Sequence, residues 1–138
     1  MNRMFLLTSV LALGVFVSSS VVQAEDKDDK EPTIKGIMKA THAGDKALKA
    51  KVTKAAKAKD WETVETAAKE WVKHAEALSK TKATKGEAES WTKLTASYEK
   101  SVKDLEAGAE KKNAKAVNAA MSKINASCGA CHKLHKGK

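Results

Sequence analysis

The sequence predicts an all-α chain folded as an antiparallel, up-down-up-down four-helix bundle. Three observations carry that expectation. Pro32 is the only proline and glycines number only seven, so the punctuation that regular β-hairpins need is missing. Apolar residues instead recur three and four positions apart, the period of one buried helix face. These periodic stretches are four, of similar length, joined by short polar connections that favour antiparallel neighbours.

Residues 1–24 read as a secretory signal peptide. Arg3 supplies the positive start, Met4 to Val17 the apolar core, and Val22-Gln23-Ala24 the small residues of a cleavage site. That apolar run is short for a membrane span and leads into serines and acids, so the mature protein is expected not to span a membrane. An acidic leader, 25–32, precedes a single domain over 33–138, with Pro32 and Thr33 as a helix start.

Helix one is expected to carry Ile34, Ile37, Met38, Leu48, Val52 and Ala55 on one side and to run to about Ala58. Asp60 is a good N-cap for helix two, whose stripe is Trp61, Val64, Ala68, Trp71, Ala75 and Leu78. After a polar connection from Lys80 to Gly86, helix three carries Trp91, Leu94, Tyr98, Val102 and Leu105. Helix four, from Ala114 to about Lys136, is expected to turn Val117, Met121, Ile124, Cys128, Cys131 and His132 inward. Helices one and four become neighbours in such a bundle.

The net charge is +9, and every basic residue except Arg3 is a lysine. Lysine without arginine marks a solvated point-charge surface rather than bidentate phosphate reading, and with an export signal it argues against a nucleic-acid partner. Acidic redox proteins are the expected partners, steered by that surface.

The chain's two cysteines both lie in Cys128-Gly129-Ala130-Cys131-His132, a C-x-x-C-H string. Thiols one helical turn apart each add across a vinyl group of haem, and the following imidazole becomes the proximal ligand of its iron. A thioredoxin-like dithiol needs a strand-turn-helix setting that this segment lacks. Zinc, with His135 as fourth ligand, usually draws two ligand pairs from separate segments. The expectation is therefore one covalent haem c, held by Cys128 and Cys131, in an exported protein of the periplasm.

Which group takes the sixth iron position is a narrow question. Met121 shares a helix with His132, and eleven positions at 1.5 Å rise put the two roughly 16 Å apart, too far for both faces of one haem. In an antiparallel bundle the start of helix one meets the end of helix four, which brings Met38 opposite His132. His42, one turn further along, competes for that position, and an open five-coordinate iron is the third case. Leu78 and Trp91 are expected to close the haem pocket, with Trp61, Leu105 and Val117 as core at the far end.

Cys128-Gly-Ala-Cys-His132 near the C-terminus, Ala88-Glu-Ser-Trp91 and Ile37-Met38-Lys39 together resemble the class II c-type cytochromes, the cytochrome c-prime fold. The resemblance spans about Thr33 to Lys136. Within that family Ile37-Met38-Lys39 is similar to the low-spin, methionine-ligated branch. This implies a single-electron carrier with His132 and Met38 as axial ligands and no enzymatic activity. The alternative is the five-coordinate branch, which binds nitric oxide or carbon monoxide. Homodimers are common in the family. Members usually carry an aromatic residue and then arginine after the motif, where this chain has His135 and Lys136, so propionate pairing is expected to differ.

Overall fold

The structure, a computed structural model of the chain, describes residues 32–136. The signal peptide expected over 1–24 and the leader residues 25–31 lie outside the described residues, as do 137 and 138. Among the described residues there are five helices and no strand: α1 (Ile34–His42), α2 (Leu48–Ala58), α3 (Trp61–Lys80), α4 (Ala88–Glu110) and α5 (Ala114–His135). The all-helical class is as expected, but the helix count is five rather than four.

The difference lies in the first expected helix, which is broken. α1 starts on Thr33, whose hydroxyl accepts from the Gly36 N–H at 3.1 Å, and it buries Ile37 and Thr41. It stops at His42, because Ala43 is extended and Gly44 takes φ +82°. Glycine costs about 1 kcal/mol more than alanine inside a helix, and the following Asp45 favours local non-helical hydrogen bonds. The chain resumes at α2 with Ala47 and Leu48 turned into the core, 3% and 2% exposed. Burial of those two side chains, one a leucine worth about 1.5–3 kcal/mol, offsets the helical hydrogen bonds given up at the break.

Elsewhere the local rules hold. Asp60 caps α3, its carboxylate accepting from the Thr63 N–H at 3.1 Å, a bond that also lowers the pKa of Asp60. Asn113 caps α5 in the same way through Ala116 N–H at 3.1 Å. α3 buries Val64, Ala67, Ala68, Trp71, Ala75 and Leu78, and α4 buries Trp91, Tyr98, Val102 and Leu105. α4 packs along both α3 and α5, α3 along α2, and α1 touches α2 and α3. Small residues permit the closest approach. A Cβ added at Gly108 would meet the Ala116 Cβ and the Val117 nitrogen at 3.1 Å.

The expected close pairing of the first and last helices is replaced by a groove. Among the described residues α5 packs broadly on α4 alone. A gap of about 270 Å³, lined by Val52, Ala56, Val117, Met121 and Asn125, separates it from α2. Apart from Met121 the apolar side chains facing it are short, and they leave the space between the two helices unfilled. Met121, expected as core, is a half-buried wall of this groove.

Candidate functional site

The last three turns of α5 carry the C-x-x-C-H string. Both cysteines are free thiols and half-buried, and Cys131 packs against the hydrophobic core. The Cys128 Sγ–H donates to the Ile124 carbonyl at 3.6 Å. Burial, with the neighbouring Cys128, pushes the Cys131 thiol pKa up, which keeps it protonated. The inward stripe runs Val117, Ala120, Ile124, then the cysteines, and ends on His135.

His132, expected to turn inward with the cysteines, is exposed. The reason is helical phase: at 100° per residue it sits about 40° past Cys128 and about 100° past Cys131, on the flank of α5 rather than its inner face.

α1 carries Met38 and His42 one helical turn apart. Met38 is half-buried against the core. The His42 ring lies edge-on to Trp71, with centroids 5.4 Å apart, and its Nε2 is 3.0 Å from the Tyr98 Oη. Trp71 Nε1–H donates to that same oxygen at 2.6 Å. With Trp71 as donor to it, Tyr98 is free to give its one proton to His42, which sets Nε2 as the acceptor and leaves the proton of the neutral ring on Nδ1. Burial, then Lys49 and His132, pushes the His42 pKa down to about 4. Burial pushes that of Tyr98 up to about 12, with the charge of nearby Cys128 adding to it.

Leu78 and Trp91, the expected pocket residues, are both buried, 3% and 6% exposed. Trp91 Nε1–H donates to the Thr81 carbonyl at 2.9 Å. Behind it stands a residue whose role the sequence reading missed. His135 is buried, with Nδ1–H donating to the Lys85 carbonyl at 2.7 Å and Nε2 2.9 Å from Ser90 Oγ, and its ring rests edge-on against Trp91. Its place one turn beyond Cys131 on the apolar stripe was the available signal. Both its nitrogens are engaged with the α3–α4 connection and α4, so it does not join the thiols as a fourth zinc ligand. Among the described residues no group of three or more histidine, cysteine or acidic side chains would hold a bare metal ion.

Thus Cys128, Cys131 and His132 lie on the last turns of α5 and Met38 and His42 on α1, with His42 resting on Trp71 and Tyr98 at the middle of α3 and α4. Two free thiols at one-turn spacing, an adjoining imidazole and a thioether from another helix form a donor set whose chemistry fits a haem. Compared with known proteins, the chain matches no family model, no curated protein and no solved structure, so the family expectation rests on the residues themselves.

Proposed function

We propose that this chain is an extracytoplasmic class II c-type cytochrome that carries single electrons on one covalently bound haem, its helices arranged as an antiparallel up-down-up-down bundle. The observation that carries the reading is the C-x-x-C-H string on the last turns of α5, whose two cysteines are free, half-buried thiols one helical turn apart. Cross-helix pairs support the topology: Gly108 with Val117, Asp104 with Lys123 and Ser90 with His135 run in opposite senses along α4 and α5.

Bound haem would supply the one-electron ferric–ferrous couple, and soft sulfur ligation raises its potential. The chain's own residues do the rest. Cys128 and Cys131 would supply the thiols for the two thioether links, and His132 and Met38 would be the residues that ligate the iron. Met38 is favoured over His42 because the Nε2 of His42 is taken by Tyr98. Leu78 and Trp91 would keep water from the haem, and the core beneath keeps reorganisation between oxidation states small.

The oxidised spectrum of the matured protein tests the reading. Low-spin lines with a methionine-to-iron charge-transfer band are expected. A high-spin spectrum would transfer the protein to the five-coordinate, gas-binding reading.

A further inference from the structure

Ion pairing is uneven among the described helices: all three lysines of α4 are paired, one of three on α3 and on α5, and none on α1 or α2. On α3, α4 and α5 many lysines are answered locally: Lys69 by Glu65, Lys93 by Glu89, Lys100 and Lys123 by Asp104, and Lys103 by Glu99 and Glu76. α2 differs. It carries Lys49, Lys51, Lys54 and Lys57 without a single acid, and among the described residues none of them enters an ion pair.

Three of those lysines surround an open concavity of about 550 Å³ whose wall includes His42. Lys49, Lys54 and Lys57 rim it, Ala50 and Thr53 line it, and Asp45 is the one carboxylate on its edge. Three lysines against one carboxylate leave the concavity net positive, and its shape focuses that field. His42 adds no charge near neutral pH, since its pKa is depressed to about 4. His42 links the concavity to the interior, because the inner edge of its ring touches Trp71 and Tyr98.

Resting on the electron-carrier reading, we propose that the lysine-rimmed concavity of α2, around Lys49, Lys54 and Lys57, is the docking surface for a carboxylate-bearing face of a redox partner protein, with the electron crossing beside His42. The step is the passage of one electron between the two proteins. One is oxidised by the electron the other gains, and no bond is made or broken. Long-range steering by the unpaired lysines raises the encounter rate, and salt weakens it.

The test uses the haem-loaded protein and two charge-matched triple variants. One is Lys49→Glu/Lys54→Glu/Lys57→Glu. The other is Lys111→Glu/Lys112→Glu/Lys115→Glu, at exposed positions of the α4–α5 connection and the start of α5. Oxidation of the reduced protein by anionic hexacyanoferrate(III) at low ionic strength should slow about tenfold or more in the first variant and less than about threefold in the second. Equal slowing in both would show that net charge alone matters and would overturn the docking face.

A decaglutamate peptide, followed by backbone amide shifts, provides a readout that needs no electron transfer. Shifts confined to α2 and the 43–47 connection are expected. Coloured protein in which those amides stay still would overturn the proposal. So would binding of α2 to anionic phospholipid vesicles with no response to decaglutamate, which would make the face a membrane contact. Colourless protein whose α2 amides still respond would instead sink the electron-carrier reading, leaving an acidic docking face without its electron.

Discussion

Tyr98 and His42 are hydrogen-bonded: the Tyr98 hydroxyl lies 3.0 Å from the His42 Nε2, across the gap between α4 and α1. Trp71 completes the relay from α3. Three helices are thereby tied by two hydrogen bonds.

Removing that hydroxyl should loosen this tie. In Tyr98→Phe the ring still fills its place, but the Trp71 N–H loses its acceptor and His42 its donor. Leaving a buried donor unmet costs about 1–3 kcal/mol. At about 4–8 °C per kcal/mol for a domain of this size, the melting temperature should fall by at least 4 °C. An unchanged melting curve would show that the relay is not formed in solution.

The buried His42 makes stability depend on pH. Its folded pKa of about 4 lies below the ordinary 6.5, so the folded state resists the proton that the unfolded chain accepts. The contribution is fully present above pH 6.5 and is lost as pH falls from there to about 4. Allowing for solvent screening of a ring that is only partly buried, it amounts to about 1–2 kcal/mol. Denaturant titrations at several pH values should show this slope in the native chain and a flatter one in His42→Asn.

Two glycines with nearly the same backbone angle should respond differently to alanine. Gly44 (φ +82°) has open space where a Cβ would go, so Gly44→Ala should cost only the left-handed backbone, about 1 kcal/mol. At Gly86 (φ +83°) the new carbon would meet the His135 Nδ1 and the Leu134 carbonyl oxygen, both at 2.7 Å. There overpacking adds about 1–3 kcal/mol more. Comparing the two variants by chemical denaturation measures how firmly the end of α5 is latched to the α3–α4 connection.

Much of this architecture was legible in the residues. Asp60 and Asn113 are short polar side chains just ahead of apolar stripes, and both cap as such residues do. The break at Gly44 was hidden because the apolar positions Ile37, Leu48, Val52 and Ala55 keep helical phase across it. A lone glycine does not announce a turn when the stripe on either side stays in register. His132 was misassigned for a related reason. It follows Cys131 in sequence, but neighbours on a helix are 100° apart, and the inner face passes from Cys131 to His135. The groove between α2 and α5 depends on how helices pack, which a stripe of apolar residues does not specify.

Met38 and His42 make different predictions for the spectrum. Met38→Ala should convert the oxidised protein from low spin to high spin with loss of the charge-transfer band. His42→Asn should leave both features in place, because the ring is already engaged with Tyr98 and Trp71. Persistence of a low-spin state in Met38→Ala would assign the sixth position to His42 instead.

The central claim is tested most directly by the intact mass of protein exported and matured in a periplasm, followed by mass mapping of the peptide that holds Cys128 and Cys131. The account predicts one haem per chain, attached to that peptide and retained through acid and organic solvent. Colourless protein of unmodified mass, with both thiols open to a maleimide, would contradict it.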